Sequence, residues 1–191
     1  MVSWLRHHNG WQVYFWNADN LPYPLINQKL FDAAPETDAK FLLLQYELLY
    51  IYGGVYLHCD FECFRNIEQH LEGRDIMLAR EDEHIPGWIA DTILAAVPRH
   101  PFIKAVIEHA PESYETHHRE TMTHRLSTGF LSREYQRFEP KFPLVENPRV
   151  FFPFFPFRGE PPTQRFPETC AAHYYEGTWR DTPYDYQKVK P

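Results

Sequence analysis

The sequence predicts an α/β fold with a mixed central sheet, and three features support that prediction. Segments with the composition of strands alternate along the chain with segments of helical pattern, which is the order seen in α/β proteins. The 191 residues suit one domain, and 43% of them are hydrophobic, which is enough to fill a core. No repeat or convincing linker divides the chain, so residues 1–191 are predicted to form a single domain.

In the first half of the chain, helices and strands are predicted from local pattern. Residues 11–16 are aromatic and β-branched, as in an early strand. A short helix is expected around residues 25–31, and a longer one over residues 37–52, where Gly53 ends it. Two further apolar runs are predicted to be strands, at residues 55–61 and 76–80.

The second half is richer in proline, and the predicted elements are shorter. Proline favours the first turn of a helix, so Pro101 is expected to begin one that runs to residue 109. A further helix is predicted at residues 117–126. Strands are predicted at residues 92–97, at 150–157 as an edge strand because prolines interrupt it, and at 170–175.

Charge and composition narrow the class of function and the compartment. The formal net charge of −7 disfavours a general nucleic-acid binder, which is usually basic. Three cysteines are too few for a disulfide framework, and no apolar run reaches transmembrane length. No signal peptide is visible, so the predicted location is the cytoplasm, with peripheral contact to a membrane through a partner as the alternative.

One segment has the composition of a metal site. If residues 55–61 continue as a strand, His58, Asp60 and Glu62 share one face, and Cys59 and Cys63 pack inward on the other. Carboxylate oxygens suit Mg²⁺ and Mn²⁺, and imidazole suits Mn²⁺ or Zn²⁺. Taken alone, an acid at the end of a strand is more simply a solvated side chain.

The same segment carries a family resemblance. Residues 45–60, QYELLYIYGGVYLHCD, resemble the pattern R-Y-x-x-L-x-x-Y-G-G-x-Y-L-D-x-D of glycosyltransferase family 32, whose sugar-binding region contains an Asp-x-Asp motif. Shorter matches to the same family follow in the same order over nearly the whole chain: residues 3–4, 14–17, 91–96, 100–102, 128–129 and 173–179.

The resemblance implies a GT-A-like fold and a hexosyltransferase-like enzyme. It would transfer a sugar from a nucleotide-diphosphate donor to a hydroxyl acceptor, a glycan or lipid-linked saccharide, with retention of configuration, as in polysaccharide biosynthesis. The implied cofactor is Mn²⁺ or Mg²⁺. The implied metal ligands are Asp60, His58 and His173, the implied catalytic residues Asp60 and Asp91, and the implied donor-binding residues Gln45, Tyr56, His58, Thr178 and Trp179.

The chain also departs from the family pattern. His58 stands in place of the first aspartate of the motif, and Leu42 and Gln45 replace an aspartate and an arginine that hold the donor sugar. The sequence begins after the family's first strand, so the sheet is expected to lack that strand unless the chain is a fragment. These departures support an alternative, a catalytically weakened relative that binds a nucleotide, glycan or protein. A less favoured alternative is a zinc-stapled domain using Cys59, Cys63, Cys170 and His173.

Overall fold

A computed structural model describes residues 2–17 and 19–175, apart from the side chain at position 157. The α-helices are α1 (Val2–His7), α2 (Gln28–Ala33), α3 (Thr37–Tyr52), α4 (Pro101–Thr116), α5 (Met122–Arg125) and α6 (Thr128–Arg137). The strands are β1 (Gly54–Leu57), β2 (Phe61–Cys63), β3 (Ile76–Arg80), β4 (Ile89–Ala96) and β5 (Ala171–His173). Short 3-10 helices lie at Glu68–His70, Pro148–Val150 and Pro156–Arg158. The predicted α/β class is confirmed.

The larger sheet has the strand order β1-β4-β3, with β4 antiparallel to both neighbours. β1 and β3 therefore run in the same direction, and both end at the edge where β4 begins. A single parallel bridge, between Ala79 and Val145, adds to this sheet at β3. The smaller sheet pairs β2 with β5 in antiparallel register. The polar residues described below lie at the end of the sheet where β1 and β3 finish.

Two hydrophobic layers cover the larger sheet. Alternate side chains of β3 and β4, such as Leu78 and Leu94, pack with α3, α4 and α6 on one face. Their neighbours, such as Met77 and Ile93, pack on the other face with α1, β2, β5 and the phenylalanine-rich segment at 151–155. β4 is buried along its whole length, as expected for a central strand.

The end of α3 sets the direction of β1. Gly53 has φ +66° and ψ −160°, and its amide donates to the Leu49 carbonyl. A Cβ built on Gly53 would lie 2.6 Å from the Pro98 side chain and 2.9 Å from the Ala96 carbonyl oxygen. Glycine is therefore required here both for backbone conformation and for the close approach of β4. The predicted helix over residues 37–52 is confirmed.

Two predicted strands are wrong. Residues 11–16 have no regular secondary structure, and Tyr14 and Phe15 are exposed. These residues have a strand-like composition, but they pair with no other strand within the described chain. A strand needs such a partner to satisfy its backbone hydrogen-bonding groups. Residues 150–157 form 3-10 turns and irregular chain because Pro153 and Pro156 cannot donate to a ladder, although the phenylalanines between them are buried.

Several boundaries differ from prediction. The strand expected at 55–61 is two strands, β1 and β2, separated by a turn at residues 59–60. α4 continues past residue 109 to Thr116 because Ala110 and Tyr114 extend its buried face, with Pro111 accommodated inside it. The helix expected at 117–126 is limited to α5, and α6 was not predicted. α2 and β5 match the short elements expected near them, and β4 starts three residues before the predicted strand.

The cysteines and the helices bear on the class of protein. Cys59, Cys63 and Cys170 are free thiols; Cys63 and Cys170 are buried and Cys59 is exposed. The prediction that Cys59 packs inward is wrong because the turn at 59–60 breaks the alternation of the strand.

In the described residues, no helix combines the length and the apolar character needed to cross a membrane.

Candidate functional site

Strand ends bring three side chains together that are distant in sequence. The His58 amide donates to the Thr92 carbonyl at 3.0 Å, which extends the pairing of β1 with β4 by one residue. The chain then turns, and β2 starts at Phe61, whose register partner on β5 is His173. His58 and Asp60 therefore lie on the turn that faces the end of β5.

His58, Asp60 and His173 form a compact cluster. One ligand-type atom from each lies within 4.8 Å of the others, and the cluster stands out among the described residues as a possible metal-ligand group. His173 Nε2 is 3.1 Å from Asp60 Oδ1, and the two side chains are 6% and 7% exposed. The sequence-predicted metal residues are thus brought together across 113 positions of the chain.

Aromatic packing fixes the orientation of His173. Its ring stacks on Phe61 with centroids 4.8 Å apart and an angle of 23° between the planes. Trp4 Nε1 donates to the Phe61 carbonyl at 3.2 Å, which anchors the start of β2 to α1. His173 Nδ1 is buried and has no hydrogen-bond partner within the described residues. The imidazole is therefore held with one nitrogen toward Asp60 and the other unused.

The electrostatics of His58 favour its neutral form. Burial lowers the pKa of His58 from its usual value, assisted by the neighbouring His173 and opposed by the Asp91 and Asp60 carboxylates. Neutral imidazole is the form that binds metals. The ring of Tyr56, on β1, meets that of His58 edge to face at 5.9 Å, and burial raises the pKa of this phenol.

Two carboxyl groups adjoin the cluster, that of buried Asp91 and that of partly buried Glu81. The Thr128 hydroxyl, at the start of α6, lies 3.0 Å from Asp91 Oδ1 and 3.2 Å from Glu81 Oε2. Burial, followed by the charge of Asp91, raises the pKa of Glu81 to about 8. Glu81 therefore retains its proton at neutral pH, as expected where two carboxyl groups lie close together and one of them stays neutral.

Sequence reasoning identified Asp91 and missed Glu81. Glu81 follows β3 directly, at the edge where His58 follows β1, so its position after a buried strand was the available signal. What the sequence does not show is that α6 supplies the hydroxyl between the two acids. Thr128 was noted only as part of a short family match.

The remaining predicted site residues fall in different places. Gln45 lies on α3, is 1% exposed, and has neither amide atom hydrogen-bonded within the described residues. Leu42 is buried in the core against the sheet. Glu62, predicted to share a face with His58 and Asp60, is exposed and accepts a hydrogen bond from the Tyr174 hydroxyl at 2.6 Å. Thr178 and Trp179 lie outside the described residues, and their roles stay predictions.

The cysteine-based zinc alternative is not supported. Cys63 Sγ lies 3.1 Å from the Arg65 carbonyl oxygen, while Cys170 Sγ lies 3.8 Å from His70 Nε2. Cys59 is exposed on the turn. Across the described chain, these thiols do not join His173 in a group of three or more metal-ligand atoms.

A surface groove lies away from the cluster of His58, Asp60 and His173. It has a volume of about 470 Å³ and lies where β1 and β3 begin, at the opposite end of the sheet. Its walls include Trp11, Val55 and Met77 and are mainly apolar. The chemistry-bearing groups are at the other edge, so the groove is not the candidate catalytic site.

Comparisons with known proteins agree with the motif. Residues 1–78 match a family model described as a glycosyltransferase sugar-binding region containing a DXD motif. Inositol phosphoceramide mannosyltransferase 2 of Schizosaccharomyces pombe is 28% identical over 137 residues, 71% of this chain and 37% of the relative. Inositol phosphoceramide mannosyltransferase 1 of the same organism is 28% identical over 134 residues, 67% of this chain and 41% of the relative. The chain thus spans well under half the length of these relatives.

A solved structure, PaToxG Glycosyltransferase, aligns with 52% of this chain and 34% of its own chain, at 17% sequence identity and a TM-score of 0.42. That overlap is too partial to define a fold. The family model covers the segment that carries the Gly-Gly turn and His58-Cys59-Asp60, and the curated relatives extend the similarity over most of the chain. Residues 1–78 are thus similar to a glycosyltransferase sugar-binding region containing a DXD motif, and the two mannosyltransferases extend the similarity, at 28% identity, to 71% and 67% of the chain.

Proposed function

We propose that the chain transfers a sugar from a nucleotide-diphosphate donor to a hydroxyl acceptor, with retention of configuration and with the help of a divalent cation. The observation that carries this proposal is the cluster of His58, Asp60 and His173 at the position of the family's DXD motif. The names of the similar proteins make mannose the first sugar to test and inositol phosphoceramide an acceptor to test beside glycans and lipid-linked saccharides.

The residues fit a divalent cation. Neighbouring ligand atoms about 2.1 Å from one ion lie about 3 Å apart in an octahedral shell and about 3.4 Å apart in a tetrahedral one. His173 Nε2 and Asp60 Oδ1 are 3.1 Å apart, and the acids Asp91 and Glu81 lie nearby without occupying the cluster. When bound, a divalent cation neutralises the donor diphosphate and makes it a better leaving group.

In this scheme, the protein side chains bind the cation and orient the donor and the acceptor. Asp60 provides the negative charge, and His58 and His173 provide nitrogen atoms. Asp91 is proposed to accept a hydrogen bond from a hydroxyl of the donor sugar or acceptor, in exchange for the one that it accepts from Thr128. Tyr56 and Gln45 are proposed to contact the donor, and the buried amide of Gln45 would gain the partners that it lacks.

A second candidate is a weakened relative that binds a nucleotide, a glycan or a protein. Leu42 favours it, because a leucine packed in the core cannot accept a hydrogen bond from a sugar where the family has an aspartate. This candidate predicts donor binding without turnover, or binding of a partner without any nucleotide sugar.

Calorimetric titration with UDP- and GDP-sugars tests the donor site. We expect binding in the presence of a divalent cation, its loss with EDTA, and its loss in Asp60→Asn. An exposed acid remote from the cluster gives the matched control, and Asp75→Asn should bind as the wild type does. If no donor binds to a cooperatively folded protein in any metal, the donor-site proposal is wrong.

A further inference from the structure

His58 changes the chemical character of the cluster from the one that its motif would ordinarily give. An Asp-x-Asp pair offers two carboxylates, which are hard oxygen ligands. Here the first position of the motif is an imidazole, and the third member, His173, is another. The cluster therefore contains two nitrogen ligands and one carboxylate.

The second imidazole is close enough to act with the first. The rings of His58 and His173 have their centroids 5.8 Å apart at an angle of 66°; Tyr56 contacts the first edge to face, and Phe61 stacks on the second. The Phe61 ring is itself packed against Phe152 at 5.8 Å. Both imidazoles are thus held by aromatic neighbours, and little rearrangement is needed for both to contact one ion.

Ligand type sets metal preference. Mg²⁺ prefers oxygen ligands and keeps much of its water, whereas imidazole favours the later first-row metals. For a site of nitrogen and oxygen atoms, affinity rises from Mn²⁺ through Co²⁺ toward the end of the row, with Zn²⁺ also high. We infer that the cluster of His58, Asp60 and His173 selects Zn²⁺ and Co²⁺ over Mn²⁺ and discriminates strongly against Mg²⁺. This inference rests on the metal site of the proposed function, and it does not require that the chain transfers sugar.

Position 58 is the determinant of this selectivity. His58→Asp restores two carboxylates to the motif, and it leaves Asp60 and His173 in place. Affinity for Zn²⁺ and Co²⁺ is expected to fall by about 10–100-fold, the range that a disturbed ligand shell produces, because imidazole suits these metals better than a carboxylate oxygen does. Affinity for Mg²⁺ is expected to rise, so the ratio of Zn²⁺ affinity to Mg²⁺ affinity falls.

Calorimetry and Co²⁺ absorption measure this without any sugar. The purified chain, stripped with chelator, is titrated separately with Zn²⁺, Mn²⁺ and Mg²⁺, and Co²⁺ binding is followed by its visible absorption. We expect one Zn²⁺ per chain, at least about 100-fold tighter than Mn²⁺, and no measurable Mg²⁺ binding. Titrations followed by the visible Co²⁺ band should show weaker binding in His58→Asp and in His173→Ala.

Matched variants exclude the other ligands in the chain. His118 is an exposed histidine whose Nδ1 lies 2.9 Å from the Glu115 carbonyl oxygen, and His118→Ala should bind Zn²⁺ as the wild type does. Cys59 is exposed on the same turn as Asp60, and Cys59→Ser should also leave Zn²⁺ affinity unchanged. If either variant loses the site, the metal is bound elsewhere and the inference is wrong. Where His58→Asp does not fold, as judged by its melting curve, His58→Asn replaces it, because asparagine also exchanges nitrogen for oxygen at that position.

The outcomes separate this inference from the proposed function. Equal affinity for Mg²⁺ and Zn²⁺, or a ratio of Zn²⁺ to Mg²⁺ affinity unaltered in the folded position-58 variant, overturns the selectivity and leaves sugar transfer standing. The expected metal ranking in a chain that binds no donor upholds the selectivity and contradicts the proposed donor site.

Discussion

Neutralising Glu81 should remove a pH dependence from the stability of the fold. The pKa of Glu81 is raised from the 4.5 of a free glutamate to about 8. In the folded state the carboxyl is protonated at pH 7, whereas in the unfolded state it is ionised. The folded state therefore binds more protons, and stability falls as pH rises from about 4.5 to about 8, with no further loss from this group above that. Each pH unit inside that window costs about 1.4 kcal/mol.

Between pH 5 and pH 7 the wild type is expected to lose about 2–3 kcal/mol more than Glu81→Gln. For a chain of this size, that is a change in Tm of about 5–10 °C. The assay is thermal melting by circular dichroism at half-unit steps from pH 4.5 to 8.5, in a buffer of constant ionic strength. Glu72→Gln, which alters an exposed glutamate, should keep the wild-type profile. Parallel profiles for the wild type and Glu81→Gln would refute the reasoning that burial keeps Glu81 protonated.

Two further predictions concern stability. Gly53→Ala should destabilise by about 3–5 kcal/mol in urea unfolding, because its Cβ would meet Pro98 at 2.6 Å on a backbone with φ +66°. Gly73→Ala, with φ +68° and open space around its Cβ, should cost only about 1–2 kcal/mol, and equal costs at the two glycines would contradict the importance of the close approach. Trp4→Phe removes the indole donor to the Phe61 carbonyl and should destabilise by about 1–3 kcal/mol; an unchanged unfolding midpoint would show that this bond does not hold β2 in place.

The parts of the fold that sequence predicts well are those fixed by local pattern. α3 is a mainly apolar run of helical length closed by a glycine with positive φ, and β3 and β4 are mainly apolar runs of strand length. Residues 11–16 have an equally strong strand composition, but a strand also needs a neighbour to pair with. Pairing is a property of the whole chain, which a local pattern does not contain.

The candidate site, too, is predictable from local sequence only in part. His58, Asp60 and His173 were predicted together only because a family resemblance connected them, since 113 residues separate the last two. The partner of Asp91 was not predictable in this way. Glu81 follows β3, and Thr128 begins α6, a helix that the sequence did not reveal. The predictions for Glu62 and Cys59 are wrong because they assume one strand with alternating side chains, whereas the chain turns at residues 59–60.

The most direct test of the account is the release of nucleoside diphosphate from a nucleotide sugar by the wild type and by Asp60→Asn. The assay uses UDP- and GDP-sugars, including a mannose donor, with hydroxyl acceptors and with each divalent metal in turn. The account predicts metal-dependent release by the wild type and a loss of at least about 100-fold in Asp60→Asn, equivalent to about 3 kcal/mol of transition-state stabilisation. Equal release by a folded Asp60→Asn variant, or by wild type in EDTA, would contradict it.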